Sequence, residues 1–449
     1  MTVRAFLLLS LTFGTLFCLL TPPFQSPDEY NHFFRAWQVS EGHFRPDITP
    51  DKRLGGTLPA SLDTLKRRFV YLKNNYAART SISTLAAGLS LRTQAKDRTF
   101  IDFPNTAIYA PAAYFPQALG IIAGRCMTDR VLVVFYLARL ANLFCWTGLV
   151  ALALNTLPFL RKTLFVLALL PASLCISASL NADVASNGLA FWLIARLCRD
   201  VYEKRSGNRI AALLAGTLLS LQKLILMPFF ALFGLRAKSV SSAIRSVSIP
   251  LILFLLAAFF WGRIANGWFI PYDRYSAEYR AEQTLNPGVD PPAQMQFILE
   301  HPLAFSRLVG QSALASLPSM AAHFTGKFGW EKNYLPWWLI GLLWLAVAAT
   351  VCLENNPFGK TRRLVLLATG LSCVALWAIT MYALWCPVGG QRLDNWQGRY
   401  FFATGPLFAF AVANGFLMPH RKWTERGIWA TLLAGNIGMA ASILVRYWL

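Results

Sequence analysis

The stretch VLVVFYLARLANLFCWTGLVALALNTL, residues 131–157, decides the fold class of this chain. It is longer than the roughly 20 apolar residues that an α-helix needs to cross a bilayer, and Arg139 is its only charged residue. The stretch therefore predicts a transmembrane helix. Nine more apolar segments are of spanning length or close to it: 5–20, 163–180, 183–199, 210–235, 249–268, 337–353, 364–386, 400–418 and 427–448.

The composition places the chain in lipid rather than in water. Hydrophobic residues make up 55% of the 449 positions and charged residues 14%, which is too apolar for a soluble domain. The net charge of +21 comes from Lys and Arg clusters between apolar segments, a pattern that sets membrane orientation, so we predict no nucleic-acid partner. The eight cysteines contain no C-x-x-C pair, which indicates neither a zinc site nor a disulfide framework.

The basic clusters predict the topology. By the positive-inside rule, the short connections that carry them should be cytoplasmic: 161–162, 196–209, 236–245, 360–363 and 421–426. This arrangement leaves two long loops outside, a first periplasmic loop at 21–130 and a second at 269–336. The run at 5–20 leads into Thr-Pro-Pro with no A-x-A cleavage site, so we interpret it as a signal anchor with the N-terminus inside.

Two segments depart from simple spans. Residues 207–235 have basic clusters at both ends, so they should form a hairpin of two short helices that enters and leaves on the cytoplasmic face. Its turn should fall near Gln222 and Lys223, beside a water-filled cavity that can solvate the polar backbone. Residues 108–124 are interrupted by two prolines and should form a helix along the outer surface.

These segments predict the fold class and the organisation. The chain should be an all-α polytopic membrane protein with about eleven transmembrane helices. Two large periplasmic loops should carry surface helices, one of them around 62–74. Residues 1–268 should form a membrane module that includes the first loop, 269–336 the second loop, and 337–449 the C-terminal transmembrane helices. Large outer loops over a helical bundle favour an active site that faces the periplasm from the inner membrane.

The most informative polar stretch is PPFQSPDEYNH, residues 22–32, just past the outer end of the first helix. It carries the adjacent carboxylates Asp28 and Glu29. One carboxylate can accept a proton from a sugar hydroxyl while a second one orients the acceptor or a divalent metal. The competing interpretation is structural, because Ser26-Pro27-Asp28-Glu29 also matches a capping box with proline at the first helical position. Both interpretations stay open on the sequence.

Lys223 and Arg399 are the candidate phosphate-binding cations. Lys223 lies at the predicted hairpin apex, where an ionisable residue is functional by default, with snorkelling to the interface as the alternative. Arg399 lies in NWQGRY at the outer mouth of a late helix. An arginine there can hold a phosphate with two parallel hydrogen bonds or anchor the helix in the aromatic belt.

Further candidates come from two outer turns and the second span. Asp183 follows an outer turn, where it can cap the next helix, the interpretation we favour, or bind the acceptor. Arg139 is a candidate partner for it. The second loop carries FTGKFGWE, in which Trp330 can stack on a sugar ring and Glu331 supplies an acid.

The ordered motifs resemble a family of predicted bacterial polytopic membrane proteins. They are P-D-E-x-x-H ending at His32, Y-A-P-x-x-Y beginning at Tyr109, N-A-D at 181–183, the mid-bundle lysine, G-x-F-G-W at 326–330 and Q-G-R-Y at 397–400. The resemblance covers about 11–410, nearly the whole chain. On these motifs the candidate substrate-binding residues are His32, Asp183, Arg139, Tyr109, Trp330, Glu331, Gln397 and Tyr400.

The helix order also resembles the GT-C superfamily of polyprenyl-phosphate-sugar-dependent glycosyltransferases. That resemblance implies a GT-C-like membrane module in which Asp28 is the catalytic base and Glu29 its neighbour or substitute. It also implies that Lys223 and Arg399 bind the donor phosphate. Many members have a second acidic site in the first loop, for which Asp102 is the candidate here.

The function we expect is transfer of a sugar from a polyprenyl-phosphate donor, such as undecaprenyl phosphate, to a surface glycan or lipid-linked acceptor. The product would be an O-antigen of lipopolysaccharide, a teichoic acid or a similar glycan, formed with inversion. No nucleotide-binding or hydrolase motif stands in a suitable context, so an activated lipid phosphate is the natural donor. No cofactor is required, although adjacent carboxylates permit a divalent metal. The alternatives are a transporter or flippase for a lipid-linked saccharide, and a non-catalytic subunit of an envelope glycan assembly system.

Overall fold

Helices make up most of the chain, as its apolar segments predict. The computed structural model describes residues 1–204, 209–268, 270, 274–282, 288–330, 333–393, 396–416 and 421–449. The α-helices in these residues are α1 Val3–Leu20, α2 Glu29–Ser40, α3 Ala60–Phe69, α4 Ile82–Leu89, α5 Pro104–Ala107, α6 Phe115–Met127, α7 Val131–Thr156, α8 Arg161–Ala168, α9 Pro171–Ser177, α10 Asp183–Tyr202, α11 Arg209–Gln222, α12 Val240–Asn266, α13 Ala277–Glu282, α14 Pro291–Glu300, α15 Pro302–Thr325, α16 Trp337–Leu353, α17 Lys360–Trp385, α18 Gly405–Val412 and α19 Arg421–Tyr447. The 3-10 helices are Val70–Leu72, Pro111–Tyr114, Leu224–Arg236 and Gly398–Phe401.

Five of the described helices are long and apolar enough to cross a membrane: α1, α7, α12, α17 and α19. Three more apolar helical segments are shorter: α11, Leu224–Arg236 and α16. On α12 the large apolar side chains of Leu256, Phe259 and Phe260 are exposed, as expected of a surface that faces lipid. The prediction of about eleven spans goes beyond these helices and stays a prediction.

Helix α7 lies at the centre of the bundle and packs against α1, α6 and α10. Between α1 and α7, Ser10 Oγ and Thr147 Oγ1 are 2.8 Å apart. The two helices approach so closely at Gly14 that a Cβ there would lie 2.5 Å from the Leu143 side chain. Small and hydroxylated residues at such a contact are typical of helices that associate in lipid, where burial of apolar surface supplies little driving force.

The two packed arms and the turn of the predicted hairpin are confirmed, and its cytoplasmic orientation stays a prediction. Helix α11 and the 3-10 helix Leu224–Arg236 pack against each other, and the chain turns at Lys223, whose backbone is extended. Both arms also contact α12, and the second arm contacts α17. The hairpin therefore presents Lys223 at the tip of two packed helices.

The segment at 21–130, predicted as the first outer loop, contains a small sheet, so the all-α prediction is wrong in this region. The antiparallel strands, in the order β1-β2-β3, are β1 Asp47–Ile48, β2 Leu54–Pro59 and β3 Arg98–Asp102. Gly55 of β2 pairs with residues on both neighbours, and a Cβ there would meet the Ile101 carbonyl. The helical stretch predicted around 62–74 is confirmed by α3 and the 3-10 helix that follows it.

Two predicted spans are not continuous helices. The span at 163–180 is divided into α8 and α9, because Pro171 begins a new helix and cannot continue the old one. In its described residues, the segment at 400–418 forms the short 3-10 helix Gly398–Phe401 and the eight-residue α18. The segment at 269–336, predicted as a loop with surface helices, contains α13, α14 and the 24-residue α15, whose serines and arginine dilute its apolar signal.

Candidate functional site

A polar cavity of about 570 Å³ lies where α2 meets α10, α15, α17 and the segment before α18. The predicted site residues that line it are Asp28, His32, Tyr109, Asp183, Trp330, Gln397, Arg399 and Tyr400. They come from positions more than 370 residues apart in the chain. The tertiary structure therefore brings most of the predicted site residues to one place.

Asp28 occupies the residue before α2 but does not cap that helix. Its side chain makes no capping hydrogen bond, and its backbone is left-handed with φ of 60°. A non-glycine residue in this region carries a modest strain, which is common at functional sites. Its Oδ2 atom lies 3.5 Å from Nη2 of Arg399. The capping-box interpretation is therefore wrong, and the carboxylate faces the cavity in a loose ion pair.

Arg399 reaches the cavity from the 3-10 helix Gly398–Phe401. Gly398 allows this segment to lie directly on α15, since a Cβ there would be 2.4 Å from the Met320 carbonyl oxygen. The guanidinium donates from Nη2 to the Tyr400 hydroxyl at 3.3 Å. Its Nε and Nη1 atoms are buried and have no hydrogen-bond partner within the described part of the chain. Buried donors without a partner are costly, and an anion bound in the cavity would satisfy them.

Lys223 forms a short ion pair with Asp183. The lysine Nζ lies 2.5 Å from Asp183 Oδ1, and the carboxylate is largely buried. Asp183 makes no capping hydrogen bond, since the cap of α10 is Ala182. The backbone N–H of Asp183 donates to Asn181 Oδ1 at 2.8 Å. The capping interpretation of Asp183 is therefore wrong as well, and its predicted pairing with Arg139 does not form.

An apolar cavity of about 560 Å³ adjoins the polar one. It lies between the hairpin tip, α12 and α17, and its walls include Leu224, Trp261 and Leu384. The two cavities share Tyr109, Met381 and Tyr400 as lining residues, and Lys223 lines the apolar one beside this junction. Lys223 Nζ and the Arg399 guanidinium lie 5.8 and 5.1 Å from the same Tyr400 ring. Both cations thus flank the border between polar and apolar space.

His32 lines the polar cavity one turn after Asp28. Its Nδ1 atom lies 3.0 Å from the Tyr114 hydroxyl, and its ring is 6.3 Å from that of Tyr109. Burial lowers the pKa of His32 to about 4, against the opposing effect of nearby carboxylates. The imidazole is therefore neutral at neutral pH and acts in the site as a hydrogen-bonding group rather than a cation.

Glu29 and Arg139 lie outside the polar cavity, in a fully buried ion pair. Arg139 Nε and Nη2 lie 2.8 and 2.6 Å from the two carboxylate oxygens of Glu29. The guanidinium also donates to the Cys18, Thr21 and Pro22 carbonyls at the end of α1. The structure does not support Glu29 as a second base or Arg139 as a substrate ligand. Instead, this pair joins α7 to the loop that carries Asp28.

The aromatic candidates lie at the cavity wall. Trp330 Nε1 donates to the Phe24 carbonyl at 3.2 Å, and Lys73 Nζ lies 4.5 Å from its ring centroid. Gln397 lines the cavity beside Trp396. Glu331 lies outside the described residues.

The candidate second acid of the first loop does not reach the cavity. Asp102 ends β3 and lies 2.9 Å from Arg53 in an ion pair on the small sheet. It lines a separate polar pocket with Arg53.

Helix α15 also contributes to the site, although none of its residues was a predicted site residue. Ser316, Ser319 and His323 line the cavity from this helix, whose residues were predicted to be loop. Their spacing of three and four residues places them on one helical face, a pattern that could have identified them.

The described residues contain no group of three or more His, Cys, Asp and Glu side chains that could hold a metal ion. The adjacent carboxylates Asp28 and Glu29 point to different partners, Arg399 and Arg139. They therefore do not form the joint metal site that their adjacency in sequence permits.

Comparison with known proteins identifies a family. A family model described as "Predicted membrane protein (DUF2142)" matches residues 11–408, nearly the whole chain. No curated protein and no solved structure matches the chain. The description of this family as membrane proteins agrees with the long apolar helices of the structure. The chain is therefore a membrane protein that belongs to the DUF2142 family of predicted membrane proteins.

Proposed function

We propose that this protein is a GT-C-type glycosyltransferase of the bacterial inner membrane. It would transfer a sugar from a polyprenyl-phosphate donor to a cell-surface glycan or lipid-linked acceptor on the periplasmic side. One observation carries the proposal: a polar cavity with a carboxylate adjoins an apolar cavity, and two cations flank their border. A lipid-linked sugar phosphate has the same order of parts, with a hydrocarbon chain, a phosphate and a sugar.

The phosphate would bind between Lys223 and Arg399. Two guanidinium nitrogens of Arg399 are buried and have no hydrogen-bond partner among the described residues, so a phosphate that binds there gains hydrogen bonds without breaking any at these two atoms. Lys223 is already paired with Asp183, and its ammonium carries further donors for a phosphate oxygen. The polyprenyl chain would lie in the apolar cavity, and the sugar would lie among Asp28, His32 and the aromatic wall.

The transfer would be a single displacement. The acceptor hydroxyl oxygen forms a bond to the anomeric carbon as the bond from that carbon to the phosphate oxygen breaks. Asp28 accepts the hydroxyl proton, and the polyprenyl phosphate leaves with the bonding electron pair. Lys223 and Arg399 stabilise the negative charge that develops on the phosphate. Such electrostatic stabilisation of the transition state is usually the largest single contribution to catalysis. Displacement from one face inverts the anomeric configuration.

The apolar cavity also supports a second candidate, a transporter or flippase for a lipid-linked saccharide. Such a protein would need the same cavity and cations. It would not need Asp28, because no proton is removed during transport.

A transfer assay separates the two functions. Purified protein in lipid would be incubated with radiolabelled polyprenyl-phosphate sugars and a membrane glycan extract. Label in the glycan supports the transferase. Absence of labelled glycan, with binding of the labelled donor intact, contradicts it and favours the transporter.

Lys223→Met should weaken binding of polyprenyl phosphate by about 10- to 100-fold, the usual contribution of a hydrogen bond to a charged group. The same change leaves the buried Asp183 carboxylate without its partner and should also lower stability. The double variant Lys223→Met/Asp183→Asn serves as the control, because it removes the unpaired charge. It should recover the melting temperature but not the affinity, measured by lipid titration in native mass spectrometry. Recovery of both would show that Lys223 acts only on folding.

A further inference from the structure

A pocket of about 370 Å³ lies at the other end of the hairpin, between α10, α11, α12 and the 3-10 helix Leu224–Arg236. Arg209 and Arg236 line it from the two ends of the hairpin, and the hydroxyl-bearing Ser242 and Ser246 line it from α12. Asp200 also lines it, but Arg196 lies 2.6 Å from that carboxylate and neutralises it. The pocket therefore has an excess of positive charge together with hydroxyl donors.

Both arginines of this pocket are exposed, and neither side chain has a hydrogen bond or ion pair with any residue in the described ranges. Other surface arginines of the same region are paired, for example Arg199 with Glu203 at 2.9 Å. Two guanidinium groups and two hydroxyls around one cavity form the donor set that a phosphodiester requires.

One wall of the pocket continues into exposed apolar surface on α12. Ile249 and Leu253 are 56% and 36% exposed. They follow Ser242 and Ser246 at intervals of three and four residues, so these four residues lie on one face of the helix. A ligand that binds here with its anionic part in the pocket would have apolar surface beside it for hydrocarbon chains.

The pocket also lies about one membrane thickness away from the polar cavity. Helix α10 begins at Asp183 in the polar cavity, and Asp200, 17 residues later, lines the pocket. At 1.5 Å per residue the two sites are about 25 Å apart along the helix, close to the roughly 30 Å thickness of a hydrocarbon core. If one site lies at one headgroup layer, the other therefore lies near the second.

We propose that this pocket binds the phosphodiester headgroup of an anionic membrane lipid, with the acyl chains along the exposed apolar face of α12 that continues from Ser242 and Ser246. Basic pockets between helices at the cytoplasmic side are a recognised way to bind such lipids. The bound lipid would connect both ends of the hairpin to α12 and so hold the hairpin whose tip carries Lys223. This proposal does not depend on the glycosyltransferase function.

Lipid titration of the full-length protein by native mass spectrometry tests the proposal. The probes are phosphatidylglycerol, phosphatidylcholine with the same acyl chains, and inorganic phosphate. We expect phosphatidylglycerol to bind preferentially and the double variant Arg209→Gln/Arg236→Gln to bind it about 30-fold more weakly. The matched control Lys238→Gln/Arg245→Gln removes the same charge from neighbouring exposed positions outside the pocket and should bind as the wild type does.

The outcomes are distinct. Equal loss in both double variants would mean that general surface charge attracts the lipid, and it would overturn the pocket assignment. If phosphatidylcholine binds as tightly as phosphatidylglycerol, the preference for an anionic headgroup is contradicted. Inorganic phosphate that binds as tightly as the lipid would assign the pocket to a soluble anion instead. The conservative Arg209→Lys/Arg236→Lys variant keeps the charge and should retain most of the binding, which separates loss of the site from loss of the fold.

Discussion

The Asp28→Asn variant should lose glycosyl transfer by a factor of about 100 to 10,000, the usual contribution of a positioned general base. Asparagine has nearly the same size as aspartate but cannot accept the acceptor's proton. It also tolerates the left-handed backbone that residue 28 adopts, so the local fold should be kept. The measurement is transfer of label from a polyprenyl-phosphate sugar to glycan by purified protein in lipid.

Asp129→Asn is the matched control for this prediction. Asp129 is also an aspartate of the predicted first loop, but it is exposed and pairs with Arg92 away from the cavity. It should transfer label at the wild-type rate. Full transfer activity in the Asp28→Asn variant would contradict the assignment of Asp28 as the general base. Loss of transfer together with loss of donor binding would assign the residue to binding rather than to proton transfer.

Breaking the Glu29–Arg139 pair should produce the largest loss of stability. Glu29→Gln leaves a fully buried guanidinium without its counter-charge, and removal of one partner of such a pair costs about 3–5 kcal/mol. Because Arg139 also holds the end of α1, the loop that carries Asp28 should lose its position. Equilibrium unfolding in mixed micelles, followed by tryptophan fluorescence, measures the effect.

Two controls define this result. The double variant Glu29→Gln/Arg139→Met removes both charges and should be less destabilised than Glu29→Gln alone. Asp63→Asn breaks the largely exposed pair with Arg67, at 2.6 Å, and should change stability by no more than about 1 kcal/mol. If the Glu29→Gln variant is as stable as the wild type but inactive, the structural role of Glu29 is contradicted and a catalytic role is supported.

The membrane character of the chain could be predicted from sequence because it depends on local composition. The segments at 5–20, 131–157 and 337–353 correspond closely to α1, α7 and α16. Hydrophobic length is a property of contiguous residues, so a span can be recognised without knowledge of its neighbours. The hairpin turn at Lys223 could also be predicted from the sequence, since the basic clusters at the two ends of the hairpin are visible in the sequence itself.

The helices and strands that were missed depend on context. The pairing of β2 with β3 joins residues 39 to 47 positions apart, and no local periodicity encodes it. Helix α15 contains serines and an arginine that lower its apolarity, and its polar face is explained only by the cavity that it lines. Its cavity-lining residues at 316, 319 and 323 are spaced as one face of a helix. They are polar, so hydropathy does not identify this helix as a membrane span.

The sequence by itself determined that this is a helical membrane protein, and it identified the polar residues from which a site could be built. Only the tertiary structure decided their roles. Asp28 and Glu29 are adjacent in sequence, yet Asp28 faces Arg399 in the cavity and Glu29 is buried against Arg139. The physical reason is that an ion pair depends on which side chains the packed helices bring within a few ångströms. Those partners lie 371 and 110 residues away along the chain.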